Sequence, residues 1–224
     1  MRDQEKQAAA RAAVELVEDG QIVGLGSGST AALAVRFLAE RVRAGLKIAG
    51  IPTSERTAQL ARQLQIPLTT LEEHSRIDID LDGADEINPQ LNLIKGGGGA
   101  LLREKIIASI SRRFIVIADS AKQVEHLGKF PLPIEVIPFA QSLIKGKVEA
   151  LGAEVKLRQL ANGNPYVTDE GHHLLDCTFG EITDPSALAG KLQSIPGVVE
   201  HGLFIDMAEM AIIGKDGTII QMRK

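Results

Sequence analysis

Phe114-Ile-Val-Ile-Ala118 offers water no polar position on either side. Five such residues are too few for a buried helix. They fit a strand covered on both faces, the condition of a parallel sheet packed between helices. The segments before it repeat the arrangement. Gln4 to Val17 reads as a helix with Ala10, Ala13, Val14 and Val17 on one face, closed by Asp19-Gly20. Gln21 to Gly26 follows as a short buried strand, Ala31 to Arg43 as a helix, Lys47 to Ile51 as a strand and Ser54 to Leu64 as a helix. Pro67-Leu68 begins another short strand, and Leu71 to His74 is a connection. Ile77 to Asp82 alternates strictly, with Ile77, Ile79 and Leu81 on one face and Asp78, Asp80 and Asp82 on the other. Leu102, Ile106 and Ile110 then recur at helical spacing. Strand and helix in alternation predict an α/β fold on a mostly parallel sheet with helices on both sides.

The character changes at Phe130-Pro-Leu-Pro133. Ile134 to Ile137 reads as a strand, Gln141 to Leu151 as a helix and Glu154 to Leu160 as a strand. Tyr166 to Cys177 holds extended stretches around Asp169-Glu170-Gly171. Asp184-Pro185 supplies an N-cap with proline in the first turn of a helix to Leu192, and Val198 to Ile205 is a strand. The order β-α-β-β-α-β is that of a ferredoxin-like α+β sandwich. Ala211 to Ile213 and Thr218 to Met222, joined through Lys215-Asp-Gly217, predict a terminal hairpin. We expect residues 1–129 with 205–224 to form the sheet domain and residues 130–204 a smaller inserted one.

Leu81 to Lys105, LDGADEINPQLNLIKGGGGALLREK, brings Asp82, Asp85, Glu104 and Lys95 together with four consecutive glycines. Glycine loses the most entropy on ordering, so such a run is either disordered or lets main-chain N–H groups approach a ligand. Since a helical pattern follows at once, a ligand loop at a helix N-terminus is the better reading. A second loop, Gly24-Leu-Gly-Ser27-Gly28-Ser29-Thr30, lies between a strand and a helix and adds hydroxyl donors. That arrangement aims free backbone donors at an anion and suits phosphate. Asp82-Gly83 falls at the C-terminal end of a strand, where open α/β sheets place their ligands. A carboxylate can remove a proton from carbon beside a carbonyl, and a cation or aimed donors must then hold the oxyanion. Lys95 can be that cation. Crowding Asp82 and Asp85 near Glu104 should raise at least one carboxyl pKa. The residues alone therefore point to proton abstraction on a small phosphorylated carbonyl compound.

Other chemistries fit less well. A dinucleotide fingerprint would need glycine where Ser29 stands, and the strand ending at Pro52-Thr53 brings no acid for a ribose hydroxyl before Glu55. Asp78, Asp80, Asp82 and Gly83 match the opening of a calcium loop, but its twelfth position is Pro89. His74, His126, His172, His173 and His201 lie outside the acidic stretch without ligand spacing, and His172-His173 is expected to face solvent at a hairpin. Cys177 reads as a small buried hydrophobe, and Ser27 is out of register for a nucleophile elbow. A net charge of -4 and one Tyr without Trp exclude a nucleic-acid footprint. No apolar run reaches the ~18 residues of a membrane span. The N-terminus is helical in character rather than signal-like, and the single cysteine suits a reducing compartment. A soluble cytoplasmic protein is expected.

GLGSGST, DGADEIN, KGGGGALLREK, ADSAKQV, LGKFPLPIEVIP and IPGVVEHGLF, in this order, resemble ribose-5-phosphate isomerase of the A type across nearly the whole chain. The resemblance implies interconversion of D-ribose 5-phosphate and D-ribulose 5-phosphate through an enediolate, without metal or cofactor. It also implies a Rossmann-like domain carrying the smaller α+β domain, assembled as a homodimer or homotetramer. Carried over, Glu104 is the base that moves a proton between C1 and C2. Asp82 and Asp85 engage sugar hydroxyls and assist ring opening, and Lys95 lies near the oxyanion. The substrate contacts implied are Ser27, Gly28, Ser29 and Thr30, Gly83 and Ala84 beside the two aspartates, Gly96, Gly97 and Gly98, Lys122 and Lys6. Two departures are small: Ser27 stands where Thr is common and Gly99 where Ala often occurs. Two rivals, a sugar-phosphate-sensing module and an acyl-CoA transferase with a glutamate nucleophile, leave Glu104 unused or lack an adenine pocket.

Overall fold

A computed structural model of the chain describes residues 2–224. Helix α1 (Arg2–Val14) precedes strand β1 (Ile22–Leu25), helix α2 (Ser29–Arg43), strand β2 (Ala49–Pro52) and helix α3 (Glu55–Gln63). Strand β3 (Ile79–Asp82) is followed by two short strands, β4 (Glu86–Ile87) and β5 (Leu93–Ile94), then helix α4 (Leu101–Ile110) and strand β6 (Phe114–Asp119). After β7 (Leu132–Val136) come α5 (Gln141–Glu149), β8 (Glu154–Leu157), β9 (His173–Thr178), α6 (Pro185–Gln193) and β10 (Val198–His201). The chain ends with β11 (Leu203–Phe204), β12 (Met210–Lys215) and β13 (Thr218–Arg223). Among the described residues no helix is long and apolar enough to cross a membrane.

Six strands form one sheet in the order β13-β12-β6-β3-β1-β2, parallel throughout except for the β12–β13 hairpin. The burial of β6 on both faces is the reason its sequence carries no polar alternation. Ile79, Leu81, Ile115 and Ile117 pack with Ala9, Ala13, Val35 and Leu38 of α1 and α2. Phe114, Val116 and Ala118 point the other way, onto Ala108 of α4 and onto Phe204 and Leu93. Alternation along β3 therefore turns Asp80 and Asp82 to the α4 side.

The second sheet runs β10-β7-β9-β8 with every neighbour antiparallel, the strand order of a ferredoxin-like sandwich. Ile134, Val136, Leu175 and Cys177 form its core with Ile144 and Leu192 of α5 and α6. The terminal hairpin joins the six-stranded sheet, as the sequence pattern predicts.

A third, three-stranded sheet, β11-β5-β4, was not anticipated. Its strands are two residues each, below the length at which alternation is readable. Val198 to Ile205, expected as one strand, divides at Gly202, where a Cβ would come within 2.2 Å of the Lys95 carbonyl. His172 and His173 are half-buried rather than fully solvent-facing, and the His172 Nδ1 lies 2.9 Å from Oε1 of the buried Glu135.

Candidate active site

The sheet order reverses between β1 and β3: β1 continues through α2 to β2 on one side, while β3 lies on the other. The crevice beyond their C-terminal ends is where a doubly wound sheet accepts a ligand. Both motif loops end there. Gly26 makes the approach possible, because a Cβ at that position would stand 2.3 Å from Asp82 Oδ1. Gly28, at φ 93°, turns the chain into α2 and leaves the first-turn N–H groups of that helix open.

A cavity of about 120 Å³ occupies the crevice, lined by Gly28, Ser29 and Thr30, by Asp85, and by Lys95 and Glu104 at its floor, with Lys6 and Lys122 at its rim. The size is below the ~300–1,000 Å³ of drug-sized sites and suits one small polar molecule. Ser27, Gly83, Ala84, Gly96 and Gly98 complete its wall. Lys6 Nζ lies 3.1 Å from Ser29 Oγ, so an ammonium stands beside the α2 N-terminus.

Three expected contacts are arranged otherwise. Gly97 does not line the cavity, because its N–H donates to Asp85 Oδ2 at 2.7 Å. The Ser27 hydroxyl turns inward to Thr53, Ser54 and Thr57 at 2.7–3.1 Å, leaving its backbone at the wall. Asp82 is wholly buried beneath the cavity instead of facing it. Its Oδ1 accepts from the N–H groups of Ser27 and Gly83 at 2.9 and 2.7 Å, and its Oδ2 lies 2.9 Å from Lys95 Nζ. Hydroxyl recognition by Asp82 does not fit that burial; support of Lys95 does.

Lys95 Nζ also lies 3.3 Å from Glu104 Oε2 and donates to the Gly83 carbonyl. Asp82 Oδ2 and Glu104 Oε2 meet the ammonium as ion pairs off the hydrogen-bonding direction. Burial pushes the Glu104 carboxyl up to about 8, with the negative Asp82 adding to the rise and Lys95 opposing it. Lys95 is buried too, yet Asp82 and Glu104 hold its pKa above the ordinary lysine value. Burial raises Asp82, and Lys95 and the two amide donors draw it back. At the rim, Asp85 Oδ1 lies 3.9 Å from Lys122 Nζ.

A further carboxyl, Asp80, lies within this buried group. Asp80 is fully buried beneath Gly24, among the described residues neither of its oxygens has a hydrogen-bond partner, and burial and Asp82 drive its pKa well up. The strict alternation of residues 77–82 marks its face, not its depth. Arg158 and Tyr166, which reach the glycine loop from the second sheet, left no local signal. Among the described residues no group of three or more His, Cys, Asp or Glu side chains is placed to hold a metal ion.

Comparison with known proteins agrees with this architecture. The sequence model of ribose 5-phosphate isomerase A (phosphoriboisomerase A) matches residues 49–218. The chain is 56% identical over 219 residues to ribose-5-phosphate isomerase A of Synechococcus sp. (strain JA-3-3Ab), covering 96% of this chain and 95% of that protein. It is 56% identical over 216 residues to the same enzyme of Gloeobacter violaceus, covering 96% and 94%. Among solved structures, a D-ribose-5-phosphate isomerase in complex with phospho-erythronic acid superposes with TM-score 0.97 at 39% identity over the full length of both chains. Ribose 5-phosphate isomerase A of Methanocaldococcus jannaschii gives 0.95 at 41% identity over 99% of each. With that sequence model matching residues 49–218 and relatives 56% identical over nearly its whole length, this chain belongs to the ribose 5-phosphate isomerase A family.

Proposed function

We propose that this protein interconverts D-ribose 5-phosphate and D-ribulose 5-phosphate by moving one proton between C1 and C2, with Glu104 as the base. The observation that carries this reading is the buried carboxylate and ammonium 3.3 Å apart, at the floor of a cavity whose wall includes the open N-terminus of α2. The phosphate belongs at Gly28, Ser29 and Thr30 with Lys6, where main-chain N–H groups and the helix dipole favour an anion. Asp85, beside Lys122, faces the sugar hydroxyls and assists opening of the ring.

Glu104 takes the C2 proton and becomes neutral as a negative charge appears on the substrate oxygen. Lys95 is beside both positions, so it holds the enediolate without rearranging. Asp82 keeps Lys95 in place and charged. The high proton affinity of Glu104 strengthens it as a base near neutral pH. The positive charge this chemistry needs is supplied by a side chain, so we infer that no metal is required.

Glu104→Gln is expected to bind phospho-erythronic acid and to lose about 10²–10⁴ in turnover on ribose 5-phosphate. Wild-type activity should persist in excess chelator. Full turnover in the variant would remove Glu104 from the mechanism, and loss of wild-type activity with chelator would bring a metal back.

We further infer a cytoplasmic homodimer or homotetramer. The buried, unpaired Cys177 suits a reducing compartment, and Phe139 at 98% exposure with Leu143 at 62% supports self-association. Light scattering should give at least twice the 24.0 kDa chain mass; a monomer at micromolar concentration contradicts the assembly.

A further inference from the structure

Gly96 to Gly99 form a β-turn closed by the Gly99 N–H donating to the Gly96 carbonyl at 3.0 Å. The two common turn types differ by a flip of the central peptide, here Gly97–Gly98. Type II needs a positive φ at the third residue, and glycine meets that need at no steric cost. With glycine at both central positions, the local sequence does not choose between the two. In this structure Gly98 is not among the glycines of positive φ, as type I requires.

The choice is made from the second sheet. Arg158, just after β8, donates through Nη1 to the Gly96 carbonyl at 2.9 Å and to the Gly97 carbonyl at 3.2 Å. Its Nε donates to Asp176 Oδ2 of β9 at 3.0 Å, and its Nη2 to Oδ1 of the same carboxylate. Such a fork leaves the guanidinium little freedom. In a trans peptide the N–H points opposite to the carbonyl. Holding the Gly97 oxygen against Arg158 therefore turns the Gly98 N–H away from it. Gly98 lines the cavity and Arg158 does not. Among the described residues no protein group accepts from that N–H.

We propose that Arg158, locked by Asp176, is a positioning residue that fixes the Gly97–Gly98 peptide so that the Gly98 N–H faces the substrate oxyanion beside Lys95. This rests on the isomerase reading above and adds to it a role for the second sheet. Arg158 touches no substrate. It acts by removing the flipped turn, in which a carbonyl oxygen would face the developing negative charge.

The test compares Arg158→Ala, Arg158→Lys and Asp176→Asn with wild type on ribose 5-phosphate. Arg158→Ala should lower kcat about 10- to 100-fold, the scale of a displaced oxyanion donor, and change KM less than threefold because the phosphate anchorage is untouched. Millimolar guanidinium ion should restore part of that kcat and leave wild type unaffected. Lysine should not substitute, since a flexible ammonium lacks the planar fork that locks onto Asp176 while reaching both carbonyls. Asp176→Asn, which keeps the arginine but loosens it, should lower kcat severalfold and decides the matter if Arg158→Ala does not fold. A kcat within twofold of wild type in the folded variants, or a loss confined to KM that guanidinium leaves unchanged, would overturn the proposal. An inactive wild type would instead overturn the isomerase reading.

Discussion

Around Lys95, three buried carboxyl groups surround one ammonium. Asp82 and Glu104 are within ion-pair distance, whereas among the described residues Asp80 has no hydrogen-bond partner and Lys95 offsets its charge only from farther off. Ionising all three against one ammonium would leave two uncompensated negative charges in the interior, which raises their proton affinity. Burial and the neighbouring Asp82 drive the Asp80 pKa well up, and burial pushes that of Glu104 up to about 8. Since the proposed base must be ionised to act, kcat/KM for ribose 5-phosphate should rise with pH through a midpoint near 8 and then level off. Stability should move in the opposite sense. A carboxyl whose folded pKa is raised contributes its full stability below the ordinary value of 4.5 and loses it as pH rises through about 8. Urea midpoints should therefore fall from pH 5 to pH 8.5, and Glu104→Gln should flatten that fall. A kcat/KM profile centred near pH 4.5 would mean that burial does not set the titration of Glu104.

At the scale of elements, glycines decide how closely loops approach. Gly99 has φ +85°, and a Cβ there would fall 2.2 Å from the Tyr166 hydroxyl oxygen. An alanine here would meet both an unfavourable backbone and the Tyr166 side chain. Gly99→Ala should destabilise the fold by about 1–3 kcal/mol. Adding Tyr166→Ser should recover the part due to the clash and leave about 1 kcal/mol of backbone strain. Equal denaturant midpoints for the single and double variants would show that Tyr166 does not fill that space. The case also marks what a sequence conceals. The glycine run reads as a ligand loop, but Arg158 and Tyr166 are about sixty residues away and carry no local sign of touching it. Likewise, alternation along residues 77–82 gives the face of Asp82, while its burial depends on the loop at Gly26 closing over it.

For the molecule as a whole, the alternation of strand and helix made the six-stranded sheet legible, and the βαββαβ order made the second sheet legible. Hydrophobic period carries over any segment of four or more residues. The β11-β5-β4 sheet lay below that length, although it seats Lys95 immediately after β5 and Phe204 beneath it. The Phe204 ring lies 5.4 Å from Lys95 Nζ and 4.9 Å from Lys105 Nζ. Residue chemistry alone led to a phosphorylated carbonyl substrate; the pentose came from the likeness of whole blocks. The proposed chemistry requires that the Glu104 carboxylate itself carry the proton of the substrate. Incubating ribose 5-phosphate in D₂O and following the C2 hydrogen by NMR tests it directly. Wild type is expected to wash deuterium into the sugar, while Glu104→Gln, still binding phospho-erythronic acid, should show no exchange above background. Continued exchange in that variant would contradict the account.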